Sequence, residues 1–129
     1  MSIQLHKPEY IVVYVSDMQR SVAFYRDVLG LALKFTTPGW SEFETGSVKL
    51  ALHRGSEERL PEQGGRPPAG VSHLAFVVEN IQAVYEDLQA RGARFSLPPQ
   101  KQVTGNTLAV LHDPDGFGIT IQERQEGRA

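Results

Sequence analysis

The chain has 129 residues, 40% hydrophobic and 22% charged, which are ordinary globular proportions and argue against disorder. Thirteen Lys and Arg face fifteen Asp and Glu, for a formal net charge of −2, which excludes the basic patch that nucleic-acid binding needs. Cysteine is absent, so disulfides, thiolate metal sites and Cys nucleophiles are excluded as well.

The length allows one compact unit or two very small ones. The apolar runs near Tyr10–Val15 and Leu74–Val78 fall far short of the roughly 20 residues that span a bilayer. Met1–Lys7 lacks a charged start followed by an apolar stretch, so no signal peptide and no membrane association are expected, and the expected location is cytoplasmic.

In chain order, Tyr10–Asp17 reads as a β-branched and aromatic strand that ends in a helix-capping residue. Ser16 and Gln19 then have capping-box spacing, Met18, Val22, Tyr25 and Leu29 form one apolar stripe, and Gly30 ends a helix. Strands are predicted at Ala32–Thr37, Trp40–Thr45 and Val48–His53, separated by the turn pairs Pro38-Gly39 and Gly46-Ser47. Arg54–Gly70, rich in Gly, Pro and charge with the single large aliphatic Leu60, reads as a linker. His73–Asn80 is a second strand of the opening type. Asn80 is an N-cap, Ile81, Val84, Tyr85 and Leu88 follow on one helix face, and Gly92 suits the C′ position. Arg94–Leu97, Asn106–His112 and Gly118–Glu123 close the chain as strands, the last two joined by the turn Asp113-Pro114-Asp115-Gly116. The two halves are copies of one βαβββ unit of about sixty residues.

Two stretches carry a resemblance. One is Val15-Ser-Asp-Met-Gln-Arg-Ser-Val-Ala-Phe-Tyr-Arg-Asp-Val-Leu-Gly-Leu31, and the other is Asp113-Pro-Asp-Gly-Phe117 before the final strand. Together with the two βαβββ halves they resemble the vicinal oxygen chelate superfamily of glyoxalase I, bleomycin resistance proteins and extradiol dioxygenases, over nearly the whole chain. The resemblance implies an α+β fold with two modules forming an incomplete eight-stranded barrel around a cleft, helices on the outside. It implies a single domain over 1–129, with module 1 at about 8–53, a linker at 54–70 and module 2 at about 71–124. It also implies a homodimer, and one divalent metal held by His, Gln or Glu on the first and last strands of each half. Those ligand positions map onto Tyr10, Leu50, His73 and Thr120, of which only His73 matches. One imidazole is too little to hold a dissociable ion, so no metal is expected. The alternative is one divalent ion such as Zn, Ni, Mn or Fe, bound through unaligned residues such as His53 or Glu44.

With His73 toward the cleft, period-two alternation adds Ala75 and Val77, and in the first half Tyr10, Val12 and Tyr14. On the last strands it adds Val48, Leu50, Leu52, Gly118, Thr120 and Gln122. This lining suits an apolar or aromatic small molecule held by a few hydrogen bonds. Trp40 is either core or a platform on which a planar ligand stacks. His73 is either a satisfied core residue or part of the pocket, His112 is a surface or hydrogen-bonded residue, and His6 lies in an exposed tail.

Three functions remain open at this point. The first is a metal-free module that sequesters a small molecule. The second is a superfamily enzyme, a lyase, isomerase or dioxygenase. It would be metal-dependent or would use His73 as base with Tyr10 and Thr120 as donors, His73 and Tyr10 being the catalytic candidates. The third is a non-catalytic partner protein.

Overall fold

The computed structural model describes residues 3, 5–57 and 69–123. Most of the expected linker, residues 58–68, lies outside the described residues. The fold is α+β, with two four-stranded mixed sheets and one helix for each. The chain divides into two units, Met1–Glu58 and Arg59–Ala129.

In the first unit β1 (Tyr10–Val15) leads into α1 (Met18–Ala23), and a π-helical turn at Phe24–Val28 continues it. The strands β2 (Ala32–Thr36), β3 (Trp40–Glu44) and β4 (Lys49–Arg54) follow. The sheet order is β1-β4-β3-β2, with β1 and β4 parallel and the other pairs antiparallel. The helix packs on one face of the sheet, where Val13, Val15, Phe43, Leu50 and Leu52 meet Met18, Val22 and Tyr25, all buried. Tyr25 and Phe43 have no exposed surface and their ring centroids lie 6.0 Å apart. Ser41 Oγ donates to Met18 Sδ at 3.2 Å from the same side. Burial of each such large side chain is worth about 1.5–3 kcal/mol over leaving it in water.

The helix start decides between the two capping residues that the sequence offers, Ser16 and Asp17. Asp17 is the N-cap, its side chain accepting from Arg20 N at 3.1 Å, whereas Ser16 Oγ accepts from the Arg20 guanidinium at 3.0 Å. Both are good capping residue types, and the carboxylate also gains from the positive end of the helix. Gly30 ends the segment at φ 75°, where a side chain would be strained.

In the second unit β5 (Leu74–Val77), α2 (Ile81–Ala90), β6 (Arg94–Lys101), β7 (Thr107–His112) and β8 (Gly118–Glu123) repeat the plan. The order is β5-β8-β7-β6 with β5 and β8 parallel. Asn80 caps α2 as expected, its side chain accepting from Ala83 N at 3.1 Å, and Glu123 at the end of β8 accepts from Ile81 N at 3.0 Å. The expected turn is held by Asp113, 1% exposed, whose Oδ1 accepts from Asp115 N at 2.9 Å and Phe117 N at 2.8 Å. β6 runs four residues past its expected end, through Pro98 and Pro99. It is an edge strand, and the pairing register shifts between Leu97 and Gln100, so the missing proline N–H groups leave no ladder bond unmade. Among the described residues no helix is long and apolar enough to cross a membrane.

Candidate functional site

Strand pairing sorts the first sheet into two faces, because directly paired residues point the same way. Tyr10, Val12 and Tyr14 pair with Lys49, Ala51 and His53. Trp40 and Glu42 on β3 pair with His53 and Ala51, and Phe35 on β2 pairs with Glu42. These residues form the face away from α1. Ile11, Val13, Leu50, Leu52, Ser41 and Phe43 form the face toward it.

This corrects one expectation. Leu50 and Leu52 were expected on the ligand-facing side, but they pair with Ile11 and Val13, and are 2% and 0% exposed in the helix-side core. The open face of β4 instead carries Lys49, Ala51 and His53. Val48 precedes the strand and is half-buried. The physical reason is core formation. Two branched aliphatics two residues apart are worth more against Met18, Val22 and Tyr25 than on a face that keeps a lysine and a histidine in solvent.

The open face is built around a carboxylate that the sequence reading passed over. Glu42 is only 7% exposed. Its Oε2 accepts from Trp40 Nε1 at 2.8 Å and from the Tyr10 hydroxyl at 3.2 Å. The aromatic rings surround it in series. Tyr10 and Trp40 meet edge to face at 5.8 Å, Trp40 and His53 at 5.4 Å, and Tyr14 stacks on His53 at 5.3 Å. Tyr14 Cβ also closes against the backbone at Gly55, where an added Cβ would come within 3.3 Å of it. The signal for Glu42 was present in the alternation, since it stands two residues from Trp40 on the same strand.

Electrostatics fix the protonation of this face. Partial burial first, then the charge of Glu42 and its hydrogen bond, hold the Tyr10 phenol above its ordinary pKa. Tyr10 is therefore a neutral donor at physiological pH. Lys49 is held above its ordinary value chiefly by Glu9, which it meets at 3.1 Å, and its ammonium lies 5.5 Å from the centre of the Tyr10 ring.

In the second sheet Ala75 and Val77 pair with Thr120 and Gln122, and Thr120 with Val110, so the expected alternation holds there. Thr120 is buried at 6% exposure and Gln122 is half-buried. His73 lies just before β5 and is exposed, with its Cβ close to Gly118, where an added Cβ would come within 3.4 Å. His112 is tied at both nitrogens, Nδ1 to the Gly116 carbonyl at 3.2 Å and Nε2 to Ser96 Oγ at 2.7 Å. His6 is exposed, as expected of a tail residue.

The divalent ion that the resemblance implies needs three or four converging donors. The residues present do not fit it. Tyr10 spends its hydroxyl as a donor to Glu42, and Leu50, which carries no donor atom, turns into the helix-side core. Among the described residues no three His, Asp or Glu side chains gather closely enough to hold an ion, His53 and Glu44 included.

The model of the Glyoxalase/Bleomycin resistance protein/Dioxygenase superfamily matches residues 7–121. Lactoylglutathione lyase of Haemophilus influenzae is 27% identical, over 93% of this chain and 94% of its own. Mouse mitochondrial methylmalonyl-CoA epimerase is also 27% identical, over 95% of this chain and 74% of its own. Among solved structures, a glyoxalase/bleomycin resistance protein/dioxygenase from Nocardioides superposes with a TM-score of 0.77 at 26% identity, covering 98% of this chain and 89% of that one.

Proposed function

The chain belongs to the glyoxalase/bleomycin resistance protein/dioxygenase superfamily, and from that premise we propose that it binds an apolar or aromatic small molecule without the family's metal. The observation that carries this reading is the open face of the first sheet. It presents Tyr10, Val12, Tyr14, Trp40 and His53 as ring and aliphatic surface around hydrogen-bonding tips. That composition favours a flat apolar body oriented by a few polar contacts. On the second sheet Thr120 and Gln122 present a hydroxyl and an amide on one face. The protein acts in the cytoplasm as a homodimer.

Trp40 is the chain's single tryptophan, so its fluorescence reports this face alone. Titration with neutral aromatic probes should change Trp40 emission saturably, and equally with and without excess EDTA. Binding that requires added Ni, Zn, Mn or Fe(II) would overturn the metal-free part of the proposal.

The names of the relatives, a lyase and an epimerase, favour a second reading as an enzyme. In it His73 moves a proton. Turnover of S-lactoylglutathione or methylmalonyl-CoA that falls on His73→Ala would support it. Turnover untouched by that change would remove His73 from the chemistry.

A further inference from the structure

The Glu42 carboxylate keeps an acceptor that its own surroundings do not use. Both of its hydrogen bonds, from Trp40 Nε1 and the Tyr10 hydroxyl, end on Oε2, and Oε1 receives none among the described residues. An ionised carboxylate has about four lone-pair positions. Nor does it hold a direct counter-charge, although its field reaches Lys49. Among the described residues Glu42 forms no ion pair, Lys49 is engaged by Glu9 at 3.1 Å, and Lys34 by Glu44 at 3.5 Å. A carboxylate mostly withdrawn from water and without a direct counter-charge favours an occupant that brings one to its open oxygen. The aromatic rings add to the preference, since the faces of Trp and Tyr attract cations.

We infer that the ligand of this face is a protonated primary or secondary amine joined to a flat apolar body. Its ammonium N–H donates to Glu42 Oε1, and its body lies against Tyr14, Trp40 and His53. This rests on the reading of the face as a small-molecule site and names the ligand's chemical class. A neutral N–H donor would fill Oε1 but leave the charge unmatched. An anion would face Glu42 directly.

The test uses three probes of nearly equal size, 2-phenylethylamine, 2-phenylethanol and 3-phenylpropionate, titrated at neutral pH by Trp40 emission and calorimetry. The amine should bind at least about tenfold more tightly than the alcohol, and the carboxylate most weakly. Glu42→Gln, which keeps the side chain's shape, should bring the amine to within about twofold of the alcohol and leave the alcohol where it was. Lys49→Gln provides a second variant that leaves Glu42 in place. It removes the competing cation and should strengthen amine binding. Equal affinity for amine and alcohol, a preference that survives Glu42→Gln, or amine binding not strengthened by Lys49→Gln would each overturn the inference. Should none of the three probes move Trp40, the reading of the face as an aromatic-ligand site falls, which is a separate outcome from loss of the charge preference.

Discussion

Replacing Leu50 with Ala separates a core role from a ligand-lining one, because the two roles move different measurements. Leu50 is 2% exposed and pairs with Ile11 on the helix side of the first sheet. The change deletes three carbons, worth about 2.4 kcal/mol at ~0.8 each. Incomplete collapse around Val13, Met18, Val22 and Tyr25 adds a cavity cost, giving ~3 kcal/mol or more. For a chain of this length that corresponds to a fall of roughly 10 °C in Tm. Val12→Ala, on the open face at 40% exposure, should cost about 1 kcal/mol or less. Thermal and urea denaturation read the stability, and Trp40 titration with a neutral aromatic probe reads the site. Leu50→Ala should lose stability and keep its probe affinity, whereas Val12→Ala should do the reverse. A Leu50→Ala protein that is destabilised by under about 1 kcal/mol yet binds the probe weakly would show that the face assignment of β4 is wrong.

Three further outcomes follow from the geometry. Tyr10 should ionise above the ordinary value of about 10 in an absorbance titration, as a late step that Tyr10→Phe removes. Its folded-state pKa lies above the unfolded one, so its contribution to stability is complete below about pH 10 and disappears as pH rises through the folded value. Glu42→Gln should move that late step only part of the way down, because burial, the largest cause, remains, and a late step that does not move would contradict the Tyr10–Glu42 contact. Asp113→Ala should cost about 2 kcal/mol or more, since it orphans the N–H groups of Asp115 and Phe117 in the turn, and a Tm change within error would show that the turn holds without its carboxylate. Asp17→Ala should cost about 1 kcal/mol as a lost N-cap while Ser16→Ala costs less, and the opposite ranking would restore Ser16 as the cap.

The architecture was legible because local and long-range signals agree. The repeated strand-then-helix pattern, Asn80 at a helix start, Gly30 and Gly92 at helix ends and the Asp113–Gly116 turn each act over a few residues. What escaped depended on which face a strand buries. Lys49-Leu-Ala-Leu-His53 alternates cleanly, but alternation leaves open which parity meets the helix. The polar ends at Lys49 and His53 were the signal that the leucines point inward. Glu42 escaped because a charged residue in a strand is ordinarily a solvated one. Only the two donors from Tyr10 and Trp40, the former 32 residues away, make it a buried centre. The Ser16 and Asp17 choice was degenerate in the sequence, and the extension of β6 through two prolines depends on its edge position.

The account turns most directly on the metal content of untagged protein, measured by elemental mass spectrometry before and after soaking in Ni, Zn, Mn and Fe(II) and removing unbound ion. With a single imidazole and no carboxylate among Tyr10, Leu50, His73 and Thr120, the account predicts a ratio far below one ion per chain under every condition, with Trp40-detected probe binding retained. A ratio of about one ion per chain, lost on His73→Ala, would contradict it and make the protein a metal-dependent member of its superfamily.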